Sequence, residues 1–466
     1  MNIPRLVCLL VVAALSGARA AAELKWEPDA NMERQLFPSL LIATATQRPE
    51  DDGEEPDPEL LGDRYGSVGI AITAPKAGAK VRVTVLENAV MSRSSWSGVL
   101  EKAGTEYYVA PAVNYKYDAL RQTRQQVPLN VTFNVEVDGK SIGEKTETLT
   151  LRSINECPFA VSDAEDTIDE QKSAKAKKEP DKRTEQTDSP KRKSDKPKKN
   201  SGGIGGSVGE TAEEAESSSD EEKPASDDEQ TSSAQSDQGY TDMGWMFAAY
   251  VNENSPIVET ILKEALATKI VDSFAGYQKE PAGVVKELFA IWSALQKRGI
   301  HYSNITTTAA ASQVVYSQHV RFVEQSVANE QANCVDGSVV FTSILRKLGL
   351  RTFLVTVPGH MFMGIYLTPD GDERIALETT MIGSREDQEE KALEVMDGLR
   401  EIRGTLDKKV AQSVAWKTFA TALAVGTSNL VKNEAKFEGE DEPQYQITDI
   451  NDARADGIMP IGYVKE

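Results

Sequence analysis

Between Leu24 and Phe159, apolar and polar residues alternate in short runs: "VGIAIT" (68–73), "AKVRVTVL" (79–86), "VPLNVTFNVEVDGK" (127–140) and "EKTETLTLRS" (144–153). A period of two predicts half-buried strands, and Asp138-Gly139 is a hairpin turn signal between the last two runs. Several short alternating strands without a helix predict an all-β sandwich. Trp96, Tyr107, Tyr108, Tyr115 and Tyr117 serve its core or a binding surface; core is the ordinary role, because aromatics supply much of a small sandwich's buried area. The region has no histidine and offers no catalytic constellation.

From Val161 to Gln238 the pattern stops. There is no aromatic residue, and the charges come in blocks, "KSAKAKKEPDKR" and "KRKSDKPKK" before "ETAEEAESSSDEE". Such a stretch cannot bury enough surface to offset its ordering entropy, which predicts a disordered linker. The basic block would suit an anionic envelope surface, but a solvated tether is the plainer reading of exposed, screened charge.

After Gly239 the period lengthens to that of helices. "SPIVETILKEALATKIVDSF" offers Ser255 as N-cap and Pro256 at the first helical position. "PAGVVKELFAIWSALQKRGIHYSNI" places Val284, Leu288, Ile291 and Leu295 on one face and ends at Gly299. "NCVDGSVVFTSILRKLGL" (333–350) predicts a helix capped by Asn333, with Asp336 completing a capping box and Gly349 ending it. "TFLVTVPGHMFMGIYLTPDGDERIALETTM" reads as a strand pair turning at Pro369-Asp370-Gly371. Ser384 to Lys432 is helical, with Leu393, Met396, Leu399, Ile402, Leu406 and Val410 in series and a break at Gly404. The tail "YQITDINDARADGIMPIGYVKE" has apolar residues suited to docking back on the domain.

The chain has 466 residues and a formal charge of −21, an acidic chain long enough for more than one domain and a poor partner for nucleic acid. Its first segment, "MNIPRLVCLLVVAALSGARA", joins Arg5, an apolar run and small residues ending at Ala20, the pattern of a cleaved secretory signal. The run is too short to span a bilayer. The expected location is therefore periplasmic or secreted, with no integral membrane segment after cleavage. Removal of Cys8 with the signal leaves Cys157 and Cys334, which in an oxidising compartment invites a disulfide.

Cys334 at the first helical position faces unpaired backbone N–H groups and the positive end of the helix dipole, a setting that favours a nucleophilic thiolate. Gly337 and Ser338, one turn on, leave room for another segment to approach the sulfur. A thiol nucleophile needs a base, and the chain has only His301, His319 and His360. His301 falls in a loop and is left out of the chemistry. If Pro369, Asp370 and Gly371 form a three-residue loop, Thr368 pairs with Asp372, Glu378 falls opposite Phe362, and His360 and Glu378 become diagonal neighbours on one face. A two-residue loop would send Glu378 to the other face. Proline suits the first position of a type I turn and favours the three-residue loop.

The order "NCVDGSVVFTSILRKLGL", "PGHMFMGIYL" and "ALETT" resembles the transglutaminase-like superfamily of papain-type folds, over roughly residues 250 to 385 and with "GIHYSNI" similar to its lead-in. The resemblance implies Cys334 as nucleophile, His360 as general base and Glu378 as the residue that fixes the imidazole. The sequence departs from the family at Glu378, where aspartate is common, and at Phe362, where tryptophan is frequent. For the oxyanion, the backbone N–H of Cys334 and the side chains of Gln331 or Gln325 are candidate donors.

The expected organisation is multidomain: a signal peptide (1–20), a β-sandwich (21–160), a disordered charged linker (161–238), an α+β transglutaminase-like domain (239–385) and a helical C-terminal extension packed on it (386–466). The expected activity is thiol-dependent acyl transfer on amide or peptide bonds, as a peptidase or transamidase, with a protein or peptide substrate, such as an envelope peptide. No cofactor is expected, and no metal, because no histidine and cysteine cluster has ligand spacing. A different class stays open: a non-catalytic envelope protein that binds peptides with the same fold, its Cys334 oxidised to Cys157 or buried and His360 a satisfied core residue. A redox sensor built on the Cys157/Cys334 pair is a third reading.

Overall fold

Alternation in the first region becomes strands whose inward residues are buried and whose outward residues are partly or fully exposed, as in Val127–Val137. The computed structural model describes residues 24–47, 57–162, 240–303, 314–385, 387–439 and 444–465. The expected signal peptide lies outside these residues, and so does the expected linker except for Val161 and Ser162.

The strands of the first region are β1 (Trp26–Ala30), β2 (Gln35–Leu36), β3 (Leu60–Gly62), β4 (Val68–Thr73), β5 (Ala79–Val85), β6 (Ser94–Leu100), β7 (Glu106–Ala110), β8 (Val127–Val137) and β9 (Lys140–Leu151). They form a four-stranded sheet, β1-β4-β7-β3, and a five-stranded sheet, β2-β9-β8-β5-β6. In β8, Leu129, Val131, Phe133, Val135 and Val137 are buried while the residues between them are partly or fully exposed. Asp138 (φ 50°) and Gly139 (φ 76°) are both left-handed, which closes the β8–β9 hairpin with the right-handed twist of its strands. Val81, Val83 and Phe133 of one sheet and Ile70, Ile72 and Val109 of the other belong to one buried apolar cluster. Tyr107 and Tyr108 are buried, as expected of core aromatics.

A further strand, β10 (Glu156–Ser162), pairs with residues that follow the charged segment. Its antiparallel neighbours are β11 (Tyr240–Asp242) and β13 (Val315–His319), with Ser162 opposite Tyr240 and Glu156 opposite His319. Short β12 (His301–Tyr302) and β14 (Gln331–Ala332) run parallel beside each other. The first region and the residues after Gly239 thus share a sheet. Tyr250 Oη donates to Ile154 O at 2.8 Å, and Ser39 Oγ to Glu156 O at 2.5 Å.

The last sheet is β15 (Thr352–Val357), β16 (His360–Tyr366), β17 (Arg374–Leu377) and β18 (Gln446–Asp449) in the order β17-β16-β15-β18. β18 corrects the expectation of a wholly helical 386–466 extension. The tail does not merely dock; Gln446–Asp449 supplies an edge strand to β15, and Ile458 and Ile461 are buried beyond it. The helix Cys334–Lys347 packs on β16 with Val335, Val339, Ile344 and Leu345 buried. The helix Val414–Lys432 crosses β17, and Thr427 Oγ1 bonds both the N–H (3.1 Å) and the carbonyl (3.2 Å) of Ala376. Edge-strand groups that would otherwise face solvent are thereby satisfied. Ser255 and Gly299 occupy the predicted helix ends, but the Ser255 hydroxyl donates to Glu324 at 2.7 Å rather than capping its own helix. Among the described residues no helix is long and apolar enough to cross a membrane.

Candidate functional site

Cys334 is the first residue of its helix, and the predicted capping box closes around it. Asp336 N–H donates to Asn333 Oδ1 at 2.8 Å, and Asn333 N–H to Asp336 Oδ2 at 3.2 Å. Arg321 secures the same carboxylate from outside the helix, its backbone N–H reaching Oδ1 at 2.8 Å and its Nη1 reaching Oδ2 at 2.6 Å. Asp336 is fully buried, and burial raises its carboxyl against these donors. The backbone N–H groups of the first helical turn, that of Cys334 among them, have no acceptor within the helix.

The space left by Gly337 and Ser338 is filled by the turn after β17. Thr379 lies against Gly337, and Ser338 Oγ, 3.4 Å from Thr379 Oγ1, donates to the Cys334 carbonyl at 2.7 Å. This turn also carries Glu378, whose backbone N–H is held by Ala422 O at 3.0 Å.

His360 opens β16 after the turn at Pro358-Gly359, where Gly359 has φ +69°. The β16–β17 register runs Met363↔Leu377, Gly364↔Ala376, Ile365↔Ile375 and Tyr366↔Arg374, which is the register of a Pro369-Asp370-Gly371 loop. Gly371 is left-handed and its N–H bonds Thr368 O at 3.2 Å. The ladder ends at Leu377, before His360 and Thr380 would pair, yet the face it sets brings His360 Nε2 to 2.8 Å from Glu378 Oε2. Glu378 Oε1 accepts from Thr380 N–H at 3.2 Å and Thr380 Oγ1 at 2.6 Å. The Glu378 side chain is 6% exposed and that of His360 31%, so a buried carboxylate anchors a ring that still reaches the surface.

Burial opposes charge on His360, but hydrogen bonds to Cys334 and Glu378 and the negative charge of both outweigh it, raising the imidazole to about 10. Burial likewise works against the Glu378 carboxylate, and the bonds from His360 and Thr380 overcome it, lowering its pKa. With Nε2 committed to Glu378, Nδ1 is the nitrogen left for Cys334. Phe362, fully buried, backs the imidazole with ring centroids 6.1 Å apart.

Cys334, His360 and Glu378 therefore come together, and the other candidates fall into different roles. Gln331 lies in β14 beside His301. Gln325 is bound into the start of the helix Val323–Asn329, its Oε1 accepting from Phe322 N–H at 3.0 Å and from Asn155 Nδ2 at 2.7 Å. His319 lies 3.5 Å from Glu156 in the β10–β13 pair. Tyr302, not singled out from the sequence, stands at the rim: burial chiefly, then the charges of Cys334 and Glu378, raise its hydroxyl. Only its position beside His301 in "GIHYSNI" pointed there. Cys157 and Cys334 are both free thiols; Cys157 is fully buried in β10, which pushes its thiol well above the usual range. Among the described residues no group of three or more histidine, cysteine, aspartate or glutamate side chains has the arrangement to hold a metal.

No protein-family model, curated protein or solved structure matches this chain.

Proposed function

We propose that this protein is a transglutaminase-like thiol acyltransferase that acts on amide or peptide bonds outside the cytoplasm, with a protein or peptide as acyl donor. The observation that carries the reading is one imidazole anchored beside a helix-tip cysteine: His360 Nε2 is 2.8 Å from buried Glu378, and Cys334 is close enough to the same ring to help raise its pKa. A surface histidine has no need of a buried carboxylate, and a buried carboxylate without a cationic partner would be costly.

In this reading Cys334 Sγ, its proton transferred to His360, attacks the carbonyl carbon. The carbonyl electrons move to oxygen, where the Cys334 backbone N–H stabilises the charge. His360 Nδ1 then gives its proton to the departing amine nitrogen as the C–N bond breaks, leaving a thioester. Water or a second amine attacks that thioester, His360 takes the attacker's proton, and Sγ leaves as thiolate. Glu378 fixes the ring and balances its charge throughout. Hydrolysis and transamidation share the first half of this sequence, and the acceptor that reaches the thioester distinguishes them.

Two free thiols, one buried in β10 and one at the site, favour this reading over a Cys157–Cys334 staple or redox pair. The residue 1–20 pattern supports export, and the fold reading extends to a β-sandwich before the charged segment and a papain-type core after it. The test is the rate of iodoacetamide labelling of Cys334 in unreduced protein, located by mass spectrometry. Rapid labelling at about pH 6.5, reduced at least tenfold in His360→Ala, is expected. Slow labelling that is indifferent to His360 would sink the proposal.

A further inference from the structure

One chain of contacts to the Cys334 helix from outside the Cys-His-Glu cluster leads back to the first region. Asn155, in the loop before β10 and 3% exposed, grips Val320 from both sides: its O accepts from Val320 N–H at 2.8 Å and its Nδ2 donates to Val320 O at 2.7 Å. The same Nδ2 donates to Gln325 Oε1 at 2.7 Å, and Gln325 in turn holds Phe322 N–H. Residues 320, 322 and 325 are thus fixed around Arg321. Arg321 is 8% exposed and spends its backbone N–H and guanidinium on Asp336, the residue that closes the Asn333 cap on which Cys334 sits. Every polar group in this chain of contacts is buried or half-buried.

We infer that Asn155 is a positioning residue for the proposed reaction, setting the place of Cys334 through Val320, Gln325, Arg321 and Asp336. The first region, which is not all-β because it carries the short helices Pro38–Ala43 and Tyr117–Arg121, then has a definite part in the site: it supplies the fixed point for the nucleophile's helix. The same contacts give Gln325 a fastening role through its Oε1. Misplacing a nucleophile by about 1 Å can cost on the order of a hundredfold in rate. The ion pair is sensitive as well, since a buried Arg321–Asp336 pair moved off its geometry loses the attraction that offsets its desolvation.

The inference rests on the thiol reading above, and one reaction tests both. Iodoacetamide displaces iodide from carbon and develops no oxyanion, so its rate reports the placement of Cys334 relative to His360 and not an oxyanion donor. In full-length protein, Asn155→Asp sets a carboxylate against two acceptor oxygens. It should slow Cys334 labelling about tenfold and displace its pH–rate profile, because near-ideal placement of the nucleophile is lost. Gln325→Leu removes only one of the Asn155 contacts and should slow labelling several-fold, while Gln325→Glu restores an acceptor and should recover most of the rate. If Asn155→Asp does not fold, the Gln325 pair decides alone. Wild-type rates and profiles in Asn155→Asp and Gln325→Leu, with His360→Ala still slow, would overturn the positioning role and leave the thiol reading standing. A wild-type protein whose labelling ignores His360 would overturn both.

Discussion

A methyl group on Gly337 would lie 2.8 Å from Thr379 Oγ1 and 3.0 Å from its Cβ, so the Cys334 helix and the turn bearing Glu378 meet because residue 337 has no side chain. Glycine inside a helix ordinarily costs about 1 kcal/mol relative to alanine, so Gly337→Ala at an indifferent site would stabilise the protein. Here the opposite sign is expected, a loss of about 1–3 kcal/mol from overpacking. Thermal unfolding should show a lowered Tm together with slower labelling of Cys334. A raised Tm would mean that this contact yields freely.

The charge state of the site makes stability depend on pH in a stated direction. His360 has a folded-state value of about 10, above the ordinary 6.5. The folded protein therefore binds the proton more tightly than the unfolded chain. The resulting stabilisation is complete below about pH 6.5 and falls away as pH rises toward 10. Glu378 is shifted downward, so its contribution is present above its ordinary range near 4.5 and disappears on acidification. Urea unfolding from pH 4 to 10 should show both limbs in the wild type, and His360→Gln should flatten the alkaline one. An unchanged alkaline limb in that variant would assign the loss to other groups.

Glu378→Gln keeps the shape and removes the charge that balances the imidazolium. Hydrogen bonds to charged groups contribute about 1.5–3 kcal/mol, so Cys334 labelling near neutrality should fall by roughly 10- to 100-fold. Thr380→Val removes the 2.6 Å bond to the other carboxylate oxygen and should cost less, because Oε1 keeps the backbone N–H of residue 380. A wild-type labelling rate in Glu378→Gln would argue that Glu378 acts through its shape alone.

Replacement of residues 163–239 by an Asn-Gly turn should preserve the fold and the Cys334 labelling rate, because Ser162 and Tyr240 are already paired opposite one another. Two-residue turns of that type join antiparallel strands without splaying them. Tm should stay within about 2 °C of wild type, a change of roughly 2 kcal/mol for a chain of this size. A large loss would reveal contacts from the excised residues to the rest of the protein.

The parts of this fold that were legible in advance are those with local chemistry. The Asn333 and Asp336 box lies within four consecutive residues, and Pro369-Asp370-Gly371 fixed a register that carried Glu378 to the face of His360. Asp138-Gly139 announced its hairpin for the same reason. What stayed hidden depends on residues far apart in the chain. The partners of β10 come after the charged segment, and "QITD" is too short to announce an edge strand before β15 is known to need one. Asn155 looks like any loop asparagine until Val320 and Gln325 are brought to it. Gln325 was legible as a polar residue near the cysteine, but its carbonyl's commitment to a helix cap was not.

The placement of β10 also sets an order of events during synthesis. Its two neighbours are made only after the charged segment, so a growing chain that has just completed Ser162 exposes both edges of this strand. Cys157, fully buried in the finished fold, is then bare, and it stays so until His319 has emerged. If the chain is exported as proposed, that interval is when the thiol would be open to capture by the wrong partner and when strand edges would be open to pairing between molecules. Chains that stop before residue 319 should accumulate as mixed disulfides and aggregates, whereas full-length chains keep the thiol free.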